Sequence, residues 1–130
     1  MSSKFKCLKL KDILSEKPDH HWTVQKMAEI VDLSQPHLHR MFKIHIGAAP
    51  MAFLGDLRLE NARDLVENTS LQMKQICFKV GILDGSHFTH NFKKKFGTTP
   101  TGHRRLHQEK IQAEELSDRI GQEMIGSAKQ

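Results

Sequence analysis

The chain has 130 residues, 38% of them hydrophobic, and a formal net charge of +5 at pH 7. This length gives one compact domain or two very small ones, and it excludes a large catalytic domain. Residues 1–105 hold 17 Lys and Arg against 10 Asp and Glu, whereas residues 106–130 hold 3 against 5. The basic part therefore predicts a polyanionic partner, and the rest of the chain is mildly acidic.

The cysteines and the apolar segments indicate a cellular compartment. Cys7 and Cys77 are 70 positions apart, which is no disulfide framework, so we interpret them as reduced thiols. No apolar run approaches the roughly 18 residues of a membrane span, and the first residues lack the apolar core of a signal peptide. These features predict a soluble cytoplasmic protein with no membrane partner.

The spacing of the apolar residues is helical nearly everywhere, and Tyr is absent, so the pattern predicts an all-α fold. Seven helices are expected, near 8–16, 23–31, 35–46, 50–68, 72–80 and 85–96, and from Pro100 onward to before Gly121. Trp22 or Thr23 opens the second helix, and Ser34 is the expected N-cap of the third. Residues 126–130 are expected to fray.

One pattern of residue types occurs twice. Residues 28–50 read AEIVDLSQPHLHRMFKIHIGAAP, and residues 77–100 read CFKVGILDGSHFTHNFKKKFGTTP. Each copy has a small residue, then Val, a turn-permissive residue, two inward apolar positions, Lys, Gly and Pro. The one change of register is an extra residue, Leu83, in the second turn. A short helix, a tight turn and a second helix, all duplicated, predict two helix–turn–helix units.

The predicted helix over residues 50–68 separates the two units. We expect a first helix–turn–helix subdomain at 1–49, the linker helix at 50–68, a second subdomain at 69–106 and a helical extension or tail at 107–130. Nineteen residues at about 1.5 Å each span roughly 28 Å, close to the distance between successive major grooves of DNA. Because the two units differ in sequence, a monomer is expected to bind an asymmetric site in double-stranded DNA.

A helical wheel gives candidate DNA-binding residues. With Leu38 and Phe88 at the centres of the two buried faces, Phe42 and Phe92 also point inward. The candidates lie on the opposite faces, flank them, or follow Pro100: Gln35, Pro36, His39, Arg40, Lys43, Ser86, His87, Thr89, His90, Lys93, Lys94, Arg104 and Arg105. Most have polar or cationic tips that can read base edges and phosphates. The last two are expected to clamp phosphates, whereas Arg58 and Arg63 are expected to pair with acidic residues of the linker helix.

Residues 8–106 resemble the DNA-binding domain of the AraC/XylS family of bacterial transcription regulators. The most specific match is VGILDGSHFTHNFKKKFGTTPTGHRR, and LSQPHLHRMFKIHIGAAP and RLENARDLV are also similar. By length the chain resembles the stand-alone MarA/SoxS type, although it could equally be a DNA-binding fragment of a longer effector-responsive regulator. The resemblance implies a seven-helix fold, promoter binding and activation through contact with RNA polymerase. Gly85 stands where the family has a helix former, so the first turn of the second recognition helix is expected to be weak.

The alternatives to DNA binding are a metal site, an enzyme and a protein-interaction module. The nine His suggest a metal site, but no Cys or acidic residue joins His37, His39, His87 or His90 at ligand spacing. The sequence also lacks a nucleophile elbow, a phosphate-cradling glycine loop and an HExxH motif, so we predict no enzyme, no cofactor and no metal. A helical protein-interaction module stays an alternative for residues 107–130, with a stripe of Ile111, Leu116, Ile120 and Met124.

Overall fold

A computed structural model describes residues 1–128, and the chain is helical through most of this range. The α-helices are α1 Ser3–Glu16, α2 Val24–Val31, α3 Gln35–Ile46, α4 Pro50–Asn68, α5 Met73–Val80, α6 Phe88–Phe96 and α7 Pro100–Ala128, and a 3₁₀ turn at Gly85–His87 precedes α6. Within residues 1–128 there is no strand. The predicted all-α class with seven helices is therefore confirmed.

The first and last helices are longer than the apolar pattern predicted. The Ser2 side chain accepts a hydrogen bond from the Phe5 amide, so α1 begins at Ser3 and not near residue 8. Helix α7 continues through Gly121 to Ala128, because one glycine costs a helix only about 1 kcal/mol. Residues 126–128, expected to fray, thus belong to α7, and Lys129 and Gln130 lie outside the described residues.

Polar side-chain caps and prolines mark the starts of four helices. The Thr23 hydroxyl accepts from the Lys26 amide and starts α2, and the Ser34 hydroxyl accepts from the His37 amide and starts α3. Both helices thereby satisfy an amide that has no partner within the helix. Prolines begin α4 and α7 at the position that needs no amide hydrogen. The predicted N-cap at Ser34 is confirmed.

Two separate hydrophobic cores lie along the chain. The first contains buried residues from α1, α2, α3, the first half of α4 and the loop before α2: Cys7, Leu10, Leu14, Trp22, Met27, Ala28, Val31, Leu38, Phe42 and Leu54. The second contains buried residues from the second half of α4 and from α5 and α6: Ala62, Val66, Ile76, Cys77, Val80, Phe88 and Phe92. Helix α4 thus belongs to both cores, so it connects the two units as one continuous rod.

The end of α7 extends beyond both cores. Leu116 is 53% exposed, Ile120 is 47% exposed and Met124 is 68% exposed. Ile111, the fourth residue of the predicted stripe, is 39% exposed. The stripe is therefore largely exposed, and its role as a partner surface stays a prediction.

Candidate nucleic-acid interface

Helix α3 presents the first predicted recognition surface. Leu38 and Phe42 are fully buried and anchor the inner face of the helix. The candidates on the opposite side are all exposed: Gln35, Pro36, His39, Arg40 and Lys43. The inward and outward positions given by the helical wheel are therefore confirmed for this helix.

Helix α6 and the turn before it present the second surface. Phe88 and Phe92 are buried in the second core, with their ring centroids 5.7 Å apart. The candidates on this surface are again all exposed: Ser86, His87, Thr89, His90, Lys93 and Lys94. The two exposed surfaces lie in matching positions of the repeat, one on each unit.

The start of the second recognition segment differs from that of the first. Residues Gly85–His87 form a 3₁₀ turn, and α6 itself begins at Phe88. The Asp84 carboxylate accepts a hydrogen bond from the Ser86 amide at 3.0 Å, and hydrogen bonds from Ser86 lower the pKa of this acid. The first turn, expected to be weak because of Gly85, is therefore tighter than an α-helical turn. Ser86 is exposed in this turn.

The N-terminus of α1 lies beside the first turn of α3, a contact that sequence reasoning missed. The Ser3 Oγ and His37 Nε2 atoms are 3.2 Å apart, and Lys6 Nζ donates to the Asp32 carbonyl at 3.2 Å. The hydrogen-bonded residues are separated by 34 and 26 positions, so no local pattern could have indicated them. These contacts support the first recognition helix from its flank.

Arg104, a predicted phosphate contact, directs its guanidinium at backbone carbonyls of its own unit. Its Nε donates to the Val66 carbonyl at 3.0 Å, and its Nη1 donates to the Leu71 carbonyl at 2.8 Å. The remaining nitrogen, Nη2, is buried without a hydrogen-bond partner among the described residues. The guanidinium therefore satisfies carbonyls at and just after the end of α4, which helical geometry leaves without partners. Its neighbour Arg105 is exposed.

The arginines of the linker helix also differ from expectation. Arg58 donates to the carbonyls of Pro18 and His20, at 2.8 and 2.9 Å, instead of pairing with an acid of its own helix. The Arg63 guanidinium lies over the Phe96 ring, 4.8 Å from its centroid. The charge of Arg63 also helps to lower the pKa of Glu67. Of the two arginines expected to interact with acids of α4, only Arg63 therefore does so.

Cys7 and Cys77 are free and buried, one in each core. Burial raises the pKa of both thiols. Since the thiolate is the reactive form, each behaves as a small apolar core residue.

Within the described part of the chain, no three or more His, Cys, Asp or Glu side chains are grouped so that they could hold a metal ion. None of the helices described is both long enough and apolar enough to span a bilayer.

Known proteins share this arrangement. A family described as a helix-turn-helix domain matches residues 27–106, a range that includes both recognition segments. A transcriptional regulator from Chromobacterium violaceum, described as having an AraC-type DNA-binding domain, is 28% identical. Its structure matches with a TM-score of 0.71 and covers 81% of this chain and 94% of that chain. The chain belongs to the AraC-type helix-turn-helix family.

Curated members of the family are transcription regulators by name. The regulator MtrA of Neisseria gonorrhoeae is 29% identical over 90 residues, which is 69% of this chain and 30% of that protein. The activator RclR of Escherichia coli K12 is 34% identical over 89 residues, 68% of this chain and 31% of that protein. The chain thus spans about a third of the length of these relatives. The predictions of DNA binding and transcription regulation are confirmed at the level of the family.

A more distant structure shows the same fold on DNA. The DNA-binding domain of AdpA, solved in complex with a target DNA, matches with a TM-score of 0.75 at 18% identity. The match covers 80% of this chain and 94% of that domain. The AraC-type arrangement of two units around a linker helix is therefore common to both.

Proposed function

We propose that this chain binds one asymmetric site in double-stranded promoter DNA as a monomer, with α3 and α6 in successive major grooves. One observation carries the proposal: two matching exposed surfaces belong to two units that share α4, a rod of 19 residues buried in both cores. At about 1.5 Å per residue the rod is roughly 28 Å long, which suits grooves one helical turn apart on one face of DNA. The two surfaces differ in sequence, so the two half-sites differ as well.

The exposed side chains divide into two chemical roles. Arg40 has a planar fork of donors that matches the O6 and N7 acceptors of guanine, so it is the base-reading residue of α3. His39, Thr89 and His90 present polar tips for base edges on the same outward faces. The lysines at the ends of the two helices, with Arg105, neutralise phosphates. Arg104 is not part of this surface, because its guanidinium is held by the carbonyls of Val66 and Leu71.

The consequence of binding is regulation of transcription in the bacterial cytoplasm, where promoter DNA and RNA polymerase meet. We propose activation through contact with RNA polymerase, supported by relatives named as activators, among them RclR and RhaS. No catalytic step and no cofactor enter this function. In a protein as long as these relatives, the same segment would be the DNA-binding part of an effector-responsive regulator.

Selection of binding sites from random duplex DNA tests this function. We expect one asymmetric motif of about 20 bp with two information-rich blocks one helical turn apart. A palindromic motif would contradict monomer binding, and a single short block would contradict the use of both units. Failure to enrich any sequence would contradict specific DNA binding itself.

A further inference from the structure

The two units touch directly where the turn after α5 meets the loop between α1 and α2. Gly81, in the turn after α5, has a left-handed backbone with φ +89°. A Cβ atom added to Gly81 would lie 2.8 Å from the Asp19 Cα and 2.9 Å from the Asp19 carbonyl oxygen. Asp19 belongs to the loop between α1 and α2, so the backbone of the second unit packs against the backbone of the first.

The repeat shows why this position is glycine. Asp32 occupies the same place in the turn of the first unit, and it also has a left-handed backbone, with φ 55°. Aspartate tolerates that conformation, and its side chain there is exposed. The turn geometry alone therefore does not demand glycine. The close approach of Asp19 does, since no side chain fits between the two backbones.

Arg58 of α4 holds the opposing loop in place. Its Nε donates to the Pro18 carbonyl at 2.8 Å, and its Nη2 donates to the His20 carbonyl at 2.9 Å. The Asp19 peptide is thus fixed between two anchored carbonyls. The same Arg58 Nε would lie 3.1 Å from a Cβ at Gly81, so the guanidinium also borders the contact.

The loop is itself anchored to the first core. Trp22 is buried there, with 8% of its surface exposed, and its indole Nε1 donates to the Lys17 carbonyl at 2.9 Å. Arg58, Asp19 and Gly81 therefore form a continuous connection from the first core, across α4, to the turn of the second unit. We call these three residues the inter-unit clamp.

The clamp lies at the edge of a cavity that both units line. A cavity of about 780 Å³ opens between the units, with Trp22 and Met51 on one side and Leu83 and Phe88 on the other. Lys95 of α6 reaches Asp56 and Glu60 of α4 at 3.6 and 3.7 Å, but both acids are at least half exposed, so these pairs add little. Helix α4 joins the two units because it is buried in both cores, and the clamp adds a direct backbone contact between them.

We propose that the inter-unit clamp fixes the angle between α3 and α6 and thereby makes the protein selective for the number of base pairs between its two half-sites. The inference rests on the proposed two-groove binding. Each added base pair rotates the second half-site by about 35° and moves it by about 3.4 Å. A rigid pair of units cannot follow that change, whereas units that pivot can.

The first experiment measures affinity for the selected site and for sites with one base pair added or removed between the half-sites. For the unmodified protein we expect each change of spacing to weaken binding about tenfold or more. In Arg58→Met and Gly81→Ala we expect a spacing penalty below about threefold, together with weaker binding to the best site, because orientation must then be fixed during binding. Arg58→Lys, which can reach one carbonyl at a time, should lie between them.

Gly97→Ala is the matched control. Gly97 ends α6 with φ +85°, close to that of Gly81, but a Cβ there would meet nothing within 4 Å. Both substitutions therefore introduce similar backbone strain into the same unit, and only one blocks the clamp. We expect Gly97→Ala to keep the spacing penalty of the unmodified protein.

A second measurement needs no DNA. Spin labels on Ile44→Cys and Lys74→Cys, both exposed positions on different units, report the inter-unit distance by pulsed electron paramagnetic resonance. We expect a broader distance distribution in Arg58→Met and Gly81→Ala than in Gly97→Ala. Distributions of equal width, or an unchanged spacing penalty in both clamp variants, would overturn the clamp. Absence of selective DNA binding by the unmodified protein would instead overturn the proposed function.

Discussion

His103 and Glu67 join α7 to the end of α4, with 2.7 Å between the imidazole Nε2 and a carboxylate oxygen. The imidazole also meets the Phe92 ring edge-on, with centroids 5.6 Å apart. In the first unit Phe53 meets Phe42 in the same way at 5.7 Å, and both pairs are separated by 11 positions. Phe53 and His103 thus occupy the same position of the repeat, and each packs a ring against a core phenylalanine. In the second unit that ring, the His103 imidazole, also contacts the Glu67 carboxylate.

This pair predicts an acid-sensitive second unit. The hydrogen bond from His103 lowers the pKa of Glu67 below its ordinary value. A carboxylate with a depressed folded-state pKa stabilises the fold above its unfolded-state pKa of about 4.3, and that stabilisation is lost as pH falls through the folded value. We expect Glu67→Gln to cost about 1 to 2 kcal/mol at pH 7 and progressively less below pH 4.

Denaturant unfolding at several pH values measures this difference. Glu60→Gln is the control, because Glu60 is half exposed and pairs with Lys95 only at 3.7 Å, so its loss should cost a few tenths of a kcal/mol. A cost for Glu67→Gln that stays constant from pH 7 to pH 3.5 would show that the ionised carboxylate contributes nothing.

Arg40 and Lys93 are expected to act differently on DNA. Arg40→Ala should weaken binding to the selected site by about 1 to 3 kcal/mol and relax the preference at one base position. Lys93→Ala should weaken binding to all sequences alike and reduce the slope of log affinity against log salt by about 1. Repeating the site selection and the salt titration with both variants checks this. An unchanged motif with Arg40→Ala would mean that this side chain does not read a base.

Phe92 and Phe78 provide a test of the second core. Phe92 is fully buried, so Phe92→Ala should cost about 3 to 5 kcal/mol of unfolding free energy. Phe78 lies in the same unit but is 78% exposed, so Phe78→Ala should change stability by less than about 0.5 kcal/mol. Thermal and denaturant unfolding compare the two. Near-normal stability of Phe92→Ala would contradict the inward face of α6.

Arg104 and Arg105 are neighbours, but we expect the first to affect stability and the second to affect DNA binding. Arg104→Ala leaves the carbonyls of Val66 and Leu71 without their donors, and we expect a loss of about 1 to 3 kcal/mol in stability. Arg105 is exposed, and Arg105→Ala should leave stability within about 0.5 kcal/mol while weakening DNA binding. Unfolding free energy and DNA affinity, measured on both variants, test these two roles. A loss of stability in Arg105→Ala but not in Arg104→Ala would contradict them.

Local features of this fold were predictable because they depend on nearby residues. The cap at Ser34 and the buried positions of Leu38 and Phe92 follow from side-chain chemistry and from helical period, and both are confirmed. The duplication then placed the second unit by analogy with the first. Where the second unit departs from that analogy, as in the 3₁₀ turn at Gly85–His87, the prediction was only approximate.

Contacts between distant segments were not predictable in the same way. Arg58 and Arg104 look like solvated surface cations in the sequence, yet each binds backbone carbonyls about 40 positions away. Helical periodicity gives the face on which a side chain lies but not the loop that packs there. One signal was available for Arg104, since its repeat mate is Leu54, a fully buried core residue.

Methylation protection of guanine N7 on the selected site tests the central claim most directly, because N7 is exposed in the major groove. The account predicts two clusters of protected guanines, centred about 10 bp apart and on one face of the duplex. Arg40→Ala should remove protection from one cluster, and Thr89→Ala with His90→Ala should weaken the other. A single protected cluster, or two clusters on opposite faces, would contradict the placement of α3 and α6 in successive major grooves.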